Sequence, residues 1–329
     1  MADPLLSVRD LCVDYVTPQG PVRAVDRVSF EVGRGEVLGL AGESGCGKST
    51  VAQAVLRILP PPAVVSGGSV EFGGDDVLAM GEAALRRLRW RRISMVFQSA
   101  MDALNPVLTV REQLVDTLRA HGAAGEPGGR AARLLEMVGL PADRLAAFPH
   151  QLSGGMRQRV AIAIALALEP PLVILDEPTT ALDVVVEREI LQQLLDLRSR
   201  LGFSVLYISH DLNRMLQISD RVAVLYAGRV AEIAPAAALR DAPRHPYAQG
   251  LLRAFPSLRG REVEPASIPG APPSLQAPPP GCRFHPRCDR ADARCAEEEP
   301  PLAATGERRA AACHHPLDEW LPSQSVTTR

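Results

Sequence analysis

Nine residues, GESGCGKST at 42–50, constrain this chain more than any other stretch. They hold the pattern G-x-x-x-x-G-K-S as Gly42, Gly47, Lys48 and Ser49. The apolar run from Glu36 to Leu40 reads as a buried strand leading into them. The segment from Ser49 to Leu59 reads as a helix leading out, stopped by the prolines at 60–62. Strand, glycine loop and helix form the setting in which bare backbone amides and a helix N-terminus receive phosphate. The glycines let the backbone wrap the anion, Lys48 sets a compact ammonium on the β- and γ-phosphates, and the Ser49 hydroxyl ligates Mg²⁺. Ser44, Gly45, Cys46 and Thr50 complete the nucleotide-holding loop, with the Cys46 thiol read as packing. Lys48 is also the single lysine among 36 basic residues; every other one is arginine.

The flanking sequence alternates strands and helices. Residues 5–40 read as short strands, 68–80 as a hairpin around Gly73-Gly74, and 82–168 as helical and interrupted by Gly/Pro clusters. Strand signals return at 172–177, 203–209 and 221–228, with a helix from about Val185 to Arg200 between the first two. The expected fold is therefore α/β, a parallel core carrying an inserted α-helical subdomain at about 98–168. After about residue 256 the text turns Pro-rich and then Cys-rich, so the expected division is 1–256 for the main domain and 257–329 for a small extension.

Two further constellations carry chemistry. The apolar strand LVILDE ends in Asp176, placed to hold Mg²⁺, and Glu177, placed as general base toward an attacking water. In LSGGMRQR, Ser153 reads as an N-cap, and Gly154 and Gly155 leave bare amides at the start of a helix running to about Leu168. This is a second anion site, which one nucleotide in its own phosphate loop does not require.

With these motifs in this order the chain resembles the ABC ATPases, over about residues 5–255. The resemblance implies a P-loop NTPase fold in which Ser153, Gly154 and Gly155 close over ATP held by the opposite subunit of a head-to-tail dimer. Met156 stands where the family more often has Gln. It also implies that Tyr15 stacks on adenine and that Gln98 touches Mg²⁺ and senses the membrane subunits. Asp183 then belongs to the D-loop, and His210 is the switch histidine on the γ-phosphate. The stretches ALNPVLTV, DEPTTALDV, RHPYAQGLL and GCRFHPRC are similar to those of dipeptide/oligopeptide importer ATPases. Implied partners are a second ATPase subunit, two membrane permease subunits and an extracytoplasmic peptide-binding protein, with the chain at the cytoplasmic face of the membrane. Other cargo, such as nickel or glutathione, and a non-transport ATPase acting on DNA or ribosomes are the alternatives.

Four of the six cysteines, Cys282, Cys288, Cys295 and Cys313, fall in the tail. They read as metal ligands, with His285, His314 and His315 as neighbouring alternatives. The gaps are wide for structural zinc, and four thiolates also suit an iron–sulfur cluster. The peptide-importer resemblance implies a 4Fe-4S cluster, with Zn²⁺ as the alternative.

Bulk properties exclude more than they identify. A net charge of −2 gives no long-range attraction to nucleic acid. RRLRWRR at 86–92 reads as a solvated helix face or subunit contact. The longest apolar run, Val160 to Leu168, is well short of the roughly 18 residues of a membrane span. MADPLLSVRD lacks the layout of a secretory signal, so a cytoplasmic chain is expected.

Overall fold

The computed structural model describes residues 3–100, 103–123, 125–179, 182–254 and 268–318. The expected boundary at 256/257 and the first residues of the Pro-rich linker lie outside them. In chain order the first elements are β1 (Leu6–Thr17), β2 (Gly20–Val32), β3 (Val37–Ala41), α1 (Lys48–Val55), β4 (Ala63–Phe72) and β5 (Asp75–Asp76). Then come α2 (Glu82–Leu88), β6 (Ile93–Val96), α3 (Val110–Ala120), α4 (Pro127–Met137) and α5 (Gly154–Ala165). β7 (Leu172–Asp176), α6 (Val184–Leu201), β8 (Ser204–Ser209) and α7 (Leu212–Ile218) follow. β9 (Arg221–Tyr226), β10 (Arg229–Pro235), α8 (Ala236–Asp241) and α9 (Pro246–Ala254) come next, then α10 (Ala293–Glu297), β11 (Ala303–Gly306) and β12 (Arg309–Ala311).

The chain divides into two compact units. One comprises residues 1–5, 32–36 and 79–207; the other 6–31, 37–78 and 208–329. In the first, β6 and β7 pair in parallel from Ile93↔Leu172 to Val96↔Leu175, with β8 next in order. Both paired strands are buried throughout, as parallel strands covered on both faces must be. The helices start where the sequence supplies caps. Thr109 and Glu112 form a capping box on α3, Glu126 accepts from Gly128 N at the start of α4, and Ser153 caps α5. Arg159 on α5 donates to Val138 O at 3.3 Å and to Gln193 Oε1, tying α5 to the end of α4 and to α6.

In the second unit, β3 pairs in parallel with β9, β9 antiparallel with β10, and β10 antiparallel with β12. β11 completes that order, and a separate sheet runs β2-β1-β4-β5. The 68–80 hairpin forms as expected: Gly73 and Gly74 take φ of 57° and 87°, the double left-handed turn that suits tightly joined strands. β3 is buried over all five residues. At Gly39 an added Cβ would meet the Met215 side chain at 2.4 Å, so α7 can lie on β3 only because this residue is glycine.

Three expectations are corrected. Residues 82–168 are not uniformly helical, because Ile93–Val96 is a strand; four buried residues paired with β7 are too short to show a period of their own. α1 stops at Val55 rather than Leu59, where Arg57 turns left-handed at φ 51° and donates to Val77 O at 3.4 Å. α5 stops at Ala165, three residues before the expected Leu168. The tail also adds a hairpin, β11 and β12, to the β10 edge through Glu232↔Ala311 and Ile233↔Ala310.

Candidate functional site: a phosphate loop, paired acids and four thiols

In the second unit the loop after β3 is built on three glycines in the left-handed region, Gly42 (φ 150°), Gly45 (78°) and Gly47 (103°). Two are also sterically obligatory. A Cβ on Gly42 would meet Leu225 O at 2.2 Å, and one on Gly47 would meet Ala24 O at 2.5 Å. Gly47 is the N-cap of α1 and offers no side chain to the helix, so no side chain caps the amides at its start. Lys48 is 5% exposed, and its Nζ donates to Gly42 O at 2.7 Å and Glu43 O at 2.9 Å. The ammonium is thus held inside the loop it serves. Ser44 and Gly45 are exposed at the tip, and Ser49 and Thr50 are part-exposed at the helix start. Cys46 points inward at 5% exposure, and burial pushes its thiol up, in keeping with packing. Tyr15, near the end of β1, brings its hydroxyl to 3.3 Å from Thr50 Oγ1, so an aromatic ring stands beside the start of α1. His210 is exposed directly after β8.

In the first unit β7 ends in Asp176, 2% exposed. Glu177 follows at φ 45°, a conformation that costs a non-glycine residue about 1–3 kcal/mol and gathers at functional sites. Gln98 Nε2 donates to Glu177 Oε2 at 3.1 Å, bringing two residues 79 apart in sequence together. Asp183 caps α6, accepting from Val185 N at 3.1 Å and Val186 N at 3.0 Å. Ser153 caps α5, accepting from Met156 N at 3.3 Å, which leaves the Gly154 and Gly155 amides unclaimed by its hydroxyl. A Cβ on Gly155 would meet Val186 Cγ1 at 2.5 Å, so the starts of α5 and α6 approach only across a glycine.

The four tail cysteines line one small cavity with His245, His285, His314 and His315. Cys282 N donates to Cys295 O at 2.8 Å, and a Cβ on Gly281, at φ 63°, would meet Cys295 O at 2.5 Å, so the two segments come this close only across a glycine. Burial pushes all four thiols up, Cys313 to about 11. A cation, if bound there, would supply the counter-charge that such thiolates need. His245 is fully buried and its pKa is lowered to about 4 by desolvation, so it stays neutral. Among the described residues, the metal-type ligands whose donor atoms gather within 4.8 Å are Asp292, Cys295 and His315, not the four thiols.

Sequence reasoning missed several residues around the phosphate loop. Glu43 donates its amide to Tyr247 Oη at 2.9 Å, and its carboxylate takes two hydrogen bonds from Arg287, at 2.7 and 3.1 Å. Asp26, 5% exposed, accepts from Arg229 at 2.6 and 2.8 Å and from Arg283. The available signal was weak: two arginines inside GCRFHPRC, a stretch that otherwise reads as metal-ligand spacing.

A strand–glycine-loop–helix with a buried lysine, and a buried strand ending in two acids, are the working parts of a P-loop ATPase. The ABC transporter family profile matches residues 25–180, and that of the oligopeptide/dipeptide transporter C-terminal region matches 231–295. The dipeptide transport ATP-binding protein DppD of Escherichia coli (strain K12) is 42% identical over 319 residues, spanning 96% of this chain and 98% of that protein. DppD of Bacillus subtilis (strain 168) is 41% identical over 325 residues, spanning 97% and 95%. Among solved structures, the dimeric ATP-binding cassette MJ0796, in a post-hydrolysis state bound to ADP and Pi, aligns with a TM-score of 0.63. It is 28% identical and covers 70% of this chain and 98% of that one. The chain belongs to the ABC transporter family, among its ATP-binding subunits. No helix among the described residues is long and apolar enough to cross a membrane.

Proposed function

We propose that the chain is the ATP-hydrolysing motor of an importer for dipeptides or oligopeptides, bound peripherally at the cytoplasmic face of the membrane. The single observation that carries the reading is its similarity over almost its whole length to dipeptide transport ATP-binding proteins, at 42% and 41% identity. The match of 231–295 to an oligopeptide/dipeptide transporter region supports the cargo class.

Each site residue takes a role suited to its chemistry. Lys48 and the amides of 42–50 bind the triphosphate, Tyr15 stacks on the base, and Ser49, Gln98 and Asp176 serve Mg²⁺. Glu177 polarises water, with Gln98 beside it, while His210 and Asp183 act at the γ-phosphate and the partner's surface. Ser153, Gly154 and Gly155 cap the nucleotide bound by a second ATPase subunit. Val184 and Val185, 64% and 67% exposed at the start of α6, support a partner surface there. Phe97 and Val107, 44% and 75% exposed, support a contact for the two permease subunits, which receive peptide from an extracytoplasmic binding protein. Residues 1–256 serve as the nucleotide-binding domain, with its helical part at about 98–168, and 257–329 as the Cys-rich extension.

The tail thiols hold a 4Fe-4S cluster. Four cysteines lining one small cavity match the cluster's four-thiolate ligand set, which supports the reading. When bound, the cluster supplies charge compensation and a covalent staple for a segment with little core of its own.

The test is uptake in a strain lacking this chain, with radiolabelled dipeptide, free amino acid and Ni²⁺ compared. Loss of dipeptide uptake alone is expected. Unchanged dipeptide uptake with loss of Ni²⁺ uptake overturns the cargo assignment.

A further inference from the structure

The segment from Cys282 to Cys288 does more than join two thiols. Phe284 packs against Tyr226 and Tyr247, with ring centres 5.2 and 5.4 Å away. Three residues farther on, Arg287 is 8% exposed, and all three of its guanidinium nitrogens donate. It donates to Pro269 O at 2.8 Å, to Tyr226 Oη at 3.3 Å, and to both carboxylate oxygens of Glu43. Glu43 is the second residue of the phosphate loop. Its side chain is therefore gripped by Arg287, its amide by Tyr247, and its carbonyl by Lys48 at 2.9 Å. A second strut stands nearby. Arg283 donates to Ala227 O, and the next residue, Gly228, donates its amide to Cys46 O at 3.0 Å.

We propose that Arg287 is a positioning residue of the nucleotide site: acting through Glu43 it fixes the phosphate loop, and the four-thiol site that brackets it thereby sets nucleotide affinity. The inference rests on the reading of residues 42–50 as the ATP-binding loop.

A planar guanidinium meets a carboxylate in two parallel hydrogen bonds, so the pair fixes direction as well as distance, which an ammonium does not. The loop works by presenting amides already aimed at phosphate, and any freedom it gains in the empty state is lost again on binding. Glu43 is an acid in a loop built for a polyanion, and Arg287 offsets that charge. Arg287 directly precedes Cys288 in one turn, its amide bonded to Phe284 O at 2.9 Å and that of Cys288 to His285 O at 3.2 Å, so a ligand on the thiol steadies the turn that carries the arginine.

The experiment uses the full-length chain as wild type, Arg287→Ala, Arg287→Lys, Glu43→Gln and the double variant Arg287→Ala/Glu43→Gln. Measured are the dissociation constant for ATP·Mg²⁺, kcat at saturating ATP, hydrogen exchange over residues 42–48, and iron, sulfide and zinc content. Arg287→Ala and Glu43→Gln are each expected to weaken ATP about tenfold, about 1.4 kcal/mol. Exchange in the loop should rise while metal content stays unchanged, and the double variant should lose no more than either single one. Arg287→Lys should recover only part of the affinity. Cys288→Ser should weaken ATP in the wild-type background but add nothing to Arg287→Ala. Additive losses, wild-type affinity in Arg287→Ala, or wild-type affinity in a metal-depleted Cys288→Ser protein each overturn the proposal. A wild-type chain that binds no ATP sinks the reading of the loop itself, and the proposal with it.

Discussion

Replacing Asp26 with Asn should loosen the tail's hold within the unit that carries the phosphate loop. The carboxylate is 5% exposed and accepts from Arg229 Nε at 2.8 Å, Arg229 Nη2 at 2.6 Å and Arg283 Nη2. Arg27 stands 3.7 Å away and Arg23 3.8 Å. Burial alone would raise this acid, yet Arg229, Arg283 and Arg27 together hold it below its ordinary value. Arg283 is the more exposed to loss: burial and its neighbour Arg229 already lower its pKa to about 10, and Asp26 opposes them. An Asn keeps the shape but removes the charge, stranding buried Arg283 beside a like charge. Breaking a buried pair in this way costs about 3–5 kcal/mol. For a domain of about 150–250 residues each kcal/mol shifts Tm by about 2–4 °C, so the drop should be of the order of 10 °C. The assay is thermal unfolding of wild type, Asp26→Asn and Asp26→Asn/Arg283→Met. If the stranded guanidinium is the cause, the double variant regains much of the loss. The pH dependence follows from the same pair. The folded carboxyl lies below its unfolded value, so its contribution is complete above about pH 4 and is lost as pH falls through the folded pKa. The wild-type advantage over Asp26→Asn should therefore shrink only in acid. A Tm loss of under about 2 °C, or a double variant no more stable than the single, refutes the reasoning.

Three other outcomes are expected. Glu177→Gln should cut ATP hydrolysis by about 10²–10⁴ while retaining ATP binding, read by phosphate release and nucleotide retention; wild-type turnover removes Glu177 from the base role. Gly155→Ala, which drives a Cβ against Val186 Cγ1, should cost about 1–3 kcal/mol and lower turnover as the start of α5 is displaced; chemical denaturation and an ATPase assay check it, and wild-type values in both count against the close approach. Anaerobic purification should yield a brown chain with iron and sulfide in equal, near-stoichiometric amounts, whereas one zinc per chain and no visible absorbance contradict the cluster.

What could be read in the sequence was what local chemistry dictates. The loop at 42–50 announces itself because only glycines accept φ of 150°, 78° and 103° in such close quarters, and because its lysine is alone in an arginine-rich chain. β7, α6 and β9 were legible from length and apolar runs. β6 was not, since four residues inside helix-like text have no period, and its identity depends on β7 beside it. β11 and β12, AATG and RAA, carry no strand pattern and form on the β10 edge. The grip of Arg287 on Glu43 joins residues 244 apart, and nothing local at either end predicts it. Pairings of that kind come from the fold, which is why the wiring behind the phosphate loop emerges only in three dimensions.

The central claim is that two chains share each nucleotide. A structure of the assembled transporter carrying Glu177→Gln with ATP·Mg²⁺ tests it most directly. The account predicts the γ-phosphate of ATP in the 42–50 loop touching the opposite ATPase's signature helix, and Ser153 to Gly155 of this chain touching the opposite subunit's ATP. Nucleotide enclosed wholly by one chain, with residues 153–155 remote from any phosphate, contradicts it.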